Sequence, residues 1–307
     1  MKGLRKLLAA IRADFLERSR RYSFLITLGV MIYLGYLAVP AADSGVITLD
    51  LGGIRGVYNS AWIGSMTALL STMIFSLPGF YLVKGVISRD RRTGVGRILA
   101  AASLRNLSYI GGKVLSNLIY LAVITGLILL AAAGMQLVRG ELMSINLWNL
   151  TAPYLFLTLP VMLLVAAAAV LFETVPFLKH GFGNLVYFFL WVTAIMISLS
   201  GVTFGPQGDI QQFVNDPFGV SRVGYSMHQA ARSVYPGRAL DFGVGYTKLE
   251  TTVDTFLWSG MDWTLAVAAD RMVWVGAALL ITLGAVVFFD RFDPAQEQDS
   301  RGSRISF

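Results

Sequence analysis

Along this chain the apolar residues gather into continuous runs broken by short polar and charged segments. Six runs are long enough for a helix to cross a hydrocarbon core, which takes roughly 20 residues. They cover about residues 22–42, 59–83, 114–138, 150–172, 184–204 and 272–289. Unbroken runs predict helices, because strands of a membrane barrel would alternate polar and apolar positions over about ten residues. The pattern predicts an all-α polytopic membrane protein with six transmembrane helices. Residues 1–21 read differently: Leu4, Leu7, Leu8, Ile11 and Phe15 recur at helical spacing with Lys and Arg on the other face. Such a segment predicts an amphipathic helix lying in the membrane interface. A cleaved signal peptide fits less well, since Val39-Pro40-Ala41 is a poor cleavage site and the apolar run exceeds the usual 7–15 residues.

Composition agrees with the pattern and narrows it. Of 307 residues 55% are hydrophobic and 14% charged, against roughly 25% charged in an average soluble domain. There is no Cys, and the only histidines are His180 and His228. Disulfide scaffolds, thiolate chemistry and a zinc cluster are thereby disfavoured.

The net charge of +7 is explained by where the cations sit. Residues 1–21 carry seven Lys and Arg, and the connection 84–113 carries seven more with Asp90 as its only acid. The connections between spans one and two and between spans three and four hold Arg55 and Arg139 alone. Such asymmetry places the N-terminus and the 84–113 loop in the cytoplasm, and six spans return the C-terminal tail, 290–307, to the same side. Topology accounts for the surplus, so nucleic acid is not expected as a partner and membrane lipid is. The long outer segment 205–271 is rich in aromatics, which predicts a compact or membrane-dipping extracytoplasmic cap instead of a disordered linker.

The segment from Val86 to Lys113 carries the most information. A charged Arg89-Asp90-Arg91-Arg92 run leads into a Thr93-Gly94 turn. An amphipathic piece with Val95, Ile98 and Leu99 follows, and then Ser103 before the next helix. A basic loop beside anionic lipid would account for the charge; the length and the patterned apolar residues point to a docking element.

Here the chain resembles the permease subunits of ABC exporters of the ABC-2 type, also called the type V fold. In that family spans two and three are joined by an Arg-Asp/Glu-x-x-Thr-Gly segment, a short Leu-containing helix, a Pro-Ser/Thr pair, and an aromatic followed by Gly-Lys. The similar positions here are Arg89, Asp90, Thr93, Gly94, Leu99, Ser103, Tyr109, Gly112 and Lys113, with Ala102 where the family often has Pro. Asp216-Pro217-Phe218-Gly219 and Phe289-Asp290-Arg291-Phe292-Asp293-Pro294 are also similar to segments of bacterial members. The resemblance implies a six-helix half-transporter in a bacterial or archaeal plasma membrane, with 1–21 as its elbow helix and 84–113 as its coupling segment. Its implied partners are two copies of an ABC ATPase subunit and a second permease subunit, identical or a sister chain. The coupling residues it implies are Arg89, Asp90, Arg91, Arg92, Thr93, Gly94, Ile98, Leu99 and Ser103.

This chain is not expected to be an enzyme. Gly111-Gly112-Lys113 is followed by Val114, where a phosphate-binding loop needs Ser or Thr. ATP and Mg are expected on the partner ATPase, with no cofactor or metal here. The six runs hold no Asp, Glu, Lys, Arg or His at depth, which disfavours proteolytic or hydrolytic chemistry. Glu173 and His180 read as a solvated tip between spans four and five, and His228 as structural. The Asp270-Arg271 pair reads as an interfacial anchor or a tie to the outer cap.

Small polar residues are the remaining candidates. Ser65, Thr72 and Ser76 share a face of span two, and Phe188, Trp191 and Thr193 lie in span five. In the resembling family these spans line the path between two half-transporters, and a lining of hydroxyls with Met66, Met73 and Phe75 suits an amphipathic or lipid-like substrate. Alternatively the hydroxyls only let helices pack closely. Two further readings stay open: a permease serving maturation of a periplasmic metalloenzyme, and a membrane scaffold or sensor without cargo.

Overall fold

The computed structural model describes residues 16–17, 20, 22–94, 96, 105–179, 181–200, 216–248 and 253–289. The elements are α1 (Tyr22–Ala38), β1 (Val46–Leu51), β2 (Ile54–Gly56), α2 (Ser60–Val83), α3 (Val86–Arg92) and α4 (Asn106–Arg139). There follow α5 (Leu147–Pro153), α6 (Leu159–Thr174), α7 (Gly181–Ser200), α8 (Val220–Val234), β3 (Phe242–Lys248), β4 (Asp254–Phe256) and α9 (Leu265–Val287). The chain is mostly helical, and its architecture is consistent with an all-α polytopic membrane protein.

Among the described residues five helical stretches are long and apolar enough to cross a membrane: Ser60–Arg92, Asn106–Arg139, Leu147–Thr174, Gly181–Ser200 and Leu265–Val287. The run expected as the first span, 22–42, is instead the 17-residue α1, about 25 Å long at 1.5 Å per residue. Pro40 accounts for the early stop: it has no N–H to continue the ladder, and it disfavours helical geometry at Val39. In the last span the helix begins earlier than expected, at Leu265, capped by Thr264 Oγ1, which accepts from Val267 N–H at 3.4 Å. Asp270 and Arg271 therefore lie inside α9 and not before it.

The bundle core is α2 with the continuous α5–α6 stretch. Between α5 and α6 one turn widens, so that the Leu159 N–H reaches back five residues to the Tyr154 carbonyl. Pro160, at the start of α6, lacks the N–H that an ordinary turn would use, and such widened turns relieve that loss. The widened turn aims Tyr154 and Thr158 at α2: Tyr154 Oη lies 3.0 Å from Thr67 Oγ1, and Thr158 Oγ1 lies 2.8 Å from Thr72 Oγ1. At the α3 end of the bundle Phe80 stacks on Tyr187 with ring centroids 3.6 Å apart, while Phe172 meets Phe80 edge-on at 5.3 Å. That aromatic cluster joins α2, α6 and α7.

The connections at the opposite end hold the strands, which the apolar pattern did not predict. β1 pairs antiparallel with β3, Leu49 opposite Val244 and Leu51 opposite Phe242; β2 pairs parallel with β4, Gly56 opposite Phe256. The short first connection is thus stitched to the long 205–271 segment. Trp62, at the start of α2, meets Phe256 at 5.8 Å and Trp258 at 6.2 Å, both edge-on. Gly56 is needed for that packing, because a Cβ there would fall 2.1 Å from the Trp62 ring.

Candidate functional site

α3 is a seven-residue helix standing where α2 ends. A helix this short is unstable alone, so its anchors decide whether it is an element at all. Its N-terminal position is Gly85, at φ +98°, which has no side chain to cap the free N–H groups. Glu173, at the last turn of α6, supplies the cap from 88 residues away. Its Oε1 accepts from Gly85 N at 2.7 Å and Val86 N at 2.9 Å, and its Oε2 from Ile87 N at 2.9 Å and Ser88 N at 3.0 Å. Only 4% of Glu173 is exposed. The expected solvated tip is therefore wrong for this residue: it is a buried carboxylate closing a helix N-terminus, where anions are favoured by four aligned donors and the helix dipole.

The second anchor is Asp90, also 4% exposed. Its Oδ2 lies 2.8 Å from Lys113 Nζ and accepts from Tyr109 Oη at 2.9 Å, both on α4. Asp90, Tyr109 and Lys113, three of the positions in the family-like motif, therefore form one buried cluster tying α3 to α4. Asp90 faces inward, whereas Arg92 and Thr93 are exposed. Arg89 bonds the partly exposed Glu17 at 3.2 Å. Thr93 Oγ1 donates to the Arg89 carbonyl at 3.1 Å, and Gly94, at φ +76°, ends the helix as the Thr93-Gly94 turn predicts. Ile98, Leu99 and Ser103 lie outside the described residues, as do the apolar positions of the expected elbow helix and His180.

The proposed path residues are only partly brought together. Trp191 Nε1 donates to the Met73 carbonyl at 2.8 Å and to Ser76 Oγ at 3.1 Å, and Tyr187 Oη donates to the Ser76 carbonyl at 2.8 Å. Phe188 is 39% exposed, with its ring 6.0 Å from Trp191. Thr72 is fully buried and occupied by Thr158, Ser65 is buried within the bundle, and Thr193 is on the exposed side of α7. Most of α7 faces outward, with Phe182, Phe189, Leu190 and Met196 each more than half exposed.

Away from α3, three buried charges, Arg55, Asp216 and Arg271, have partners that the sequence did not reveal. Arg55, 3% exposed, forms a two-pronged pair with Glu141 at 2.6 and 3.1 Å, and Tyr58 N–H adds a third bond to Glu141 at 2.8 Å. Burial alone would raise the Glu141 pKa, but the Arg55 hydrogen bond, the Tyr58 N–H and the Arg55 charge hold it below the usual 4.5. Asp216 takes Phe218, Gly219 and Ser221 N–H groups at 3.1, 2.9 and 2.6 Å, capping α8. Arg271 Nη1 donates to the Asp216 carbonyl at 2.8 Å, and Asp270 pairs with Arg222 of α8. Of the two roles open for Asp270-Arg271, this geometry is the tie to the 205–271 segment. His228 is buried on α8. Among the described residues no group of three or more His, Asp and Glu could hold a metal ion. No family model, no curated protein and no solved structure matches this chain.

Proposed function

We propose that this chain is the membrane permease subunit of an ATP-driven exporter, with α3 as the lever on which a separate ATPase subunit docks. The observation that carries this reading is the mounting of α3. A seven-residue helix is fixed by Glu173 to α6 and by Asp90 to α4, yet turns Arg92 and Thr93 to solvent. A force on that exposed end would pass into two spans without first melting the helix, as a rigid coupling element requires. The outward apolar side of α7 fits a second permease chain, since one bundle of this size encloses no alternating-access path. Cargo of amphipathic or lipid-like character suits the Phe188, Trp191 and Ser76 face. On this reading α1 makes the sixth crossing, and α3 and both termini lie in the cytoplasm.

The test is purification of the tagged full chain from its native membranes in mild detergent. A co-purifying chain with phosphate-binding-loop ATPase activity is expected, and Arg92→Glu combined with Thr93→Glu should abolish its retention or its stimulation. A preparation with no ATPase, or an ATPase indifferent to that double change, would refute the assignment.

A further inference from the structure

A cleft of about 400 Å³ opens between α1, α2, α3 and α4, beside the lever. Its lining includes the apolar Pro78, Leu82 and Val83 and the cationic residues Lys84, Arg89 and Arg92. Arg89 and Arg92 are three residues apart on α3 and so share a face, and Lys84 precedes that helix by two residues.

The acids of this region are turned away from the cleft. Glu173 is closed off by its four N–H donors, and Asp90 points to Lys113 and Tyr109. Arg89 pairs with the half-exposed Glu17 at 3.2 Å and lies 4.0 Å from Asp90 Oδ1. Lys84 donates to two uncharged acceptors, Asn184 Oδ1 at 2.7 Å and the Leu178 carbonyl at 3.4 Å. Arg92 makes no ion pair with a described residue. Glu173 lies close enough to act on the charge of Lys84, yet no Asp or Glu is among the residues that line the cleft with Lys84, Arg89 and Arg92, so the lining itself is cationic where the span ends. Phospholipid presents the matching combination, a phosphate at the boundary and acyl chains below it. Basic pockets between span ends recognise such headgroups.

We propose that this cleft binds the phosphate of an anionic phospholipid, with Lys84, Arg89 and Arg92 on the headgroup and an acyl chain along Pro78 and Leu82. The chemistry recognised is a phosphate; the apolar lining selects the lipid source over a soluble anion. A lipid seated there touches α3 directly, so lipid composition would act on the lever. The proposal needs only the membrane-spanning helices and holds with or without an ATPase partner.

Native mass spectrometry of the full chain released from micelles would test it with phosphatidylglycerol, phosphatidylcholine and inorganic phosphate as separate probes. One phosphatidylglycerol should be retained preferentially. Affinity should fall about fivefold in Arg92→Gln and about thirtyfold in Lys84→Gln/Arg92→Gln, with phosphatidylcholine unaffected. Arg92 is exposed, so its single variant is read without a folding defect. Equal retention of both lipids, phosphatidylglycerol binding unchanged in Arg92→Gln, or inorganic phosphate binding as tightly as the lipid would overturn the proposal.

Discussion

Changing Glu173 to Gln is the sharpest perturbation of the lever. The carboxylate accepts four main-chain N–H bonds, two at each oxygen. Gln keeps one oxygen and turns an NH₂ toward the other two donors, leaving two buried N–H groups without acceptors. At about 1–3 kcal/mol per unsatisfied buried group, α3 should lose about 2–6 kcal/mol of local stability. Because α3 has only seven residues and a glycine at its N-terminal boundary, nothing nearby replaces the cap. Amide hydrogen exchange on the chain in detergent or nanodiscs reads this loss directly. Residues 85–88 should exchange at least about thirtyfold faster in Glu173→Gln, since about 1.4 kcal/mol corresponds to tenfold. The aromatic contacts of Phe80 with Tyr187 and Phe172 should keep the amides of α6 and α7 protected. If protection at 85–88 stays within about twofold of the parent, inside the scatter expected of one neutral hydrogen bond, the carboxylate does not hold α3.

Two further outcomes follow from the opposite end of the bundle. Glu141 has a pKa below 4.5 in the folded chain, so its contribution to stability is complete above that value and is lost as pH falls through the folded pKa. Melting measured from pH 6 down to pH 3 should therefore show a steeper acid loss in the parent than in Glu141→Gln; parallel curves would mean that the Arg55 pair adds nothing. Gly56→Ala places a methyl 2.1 Å from the Trp62 ring, which is already held by Phe256 and Trp258. The overpacking should cost about 1–3 kcal/mol, and an unchanged melting temperature would show that the strand-to-α2 contact is looser than described.

Periodicity was a good guide to the spans and a poor guide to their connections. Five of the six runs match long apolar helices, because a helix satisfies its own backbone and leaves its length written in consecutive side chains. The first run differs for a local reason that was also legible, Pro40, although the run of apolar residues continues past it. The Thr93-Gly94 turn was readable because only glycine adopts φ +76° without strain. The strands were not readable: Val46–Leu51 is a six-residue segment whose partner lies about two hundred positions later, and a pairing at that separation leaves no period in the sequence.

The candidate site divides in the same way. The charged run at 89–93 was legible from composition and spacing, and the family-like positions came from the resemblance. Which acids the fold would hold in place was not legible. Asp90, Glu141 and Glu173 look alike in sequence, as single acids at the ends of apolar runs, yet each is held by groups brought from elsewhere in the chain. The sequence by itself determined where the long apolar helices run, where along the chain the cations concentrate, and where α3 must stop, because those properties rest on neighbours a few residues apart. Only the tertiary structure decided that Glu173 caps α3, that Asp90 turns inward, and that Lys84, Arg89 and Arg92 share one cleft. Solvation of a charge depends on what packs around it, and those neighbours come from α1, α4 and α6, which meet only when the chain has folded.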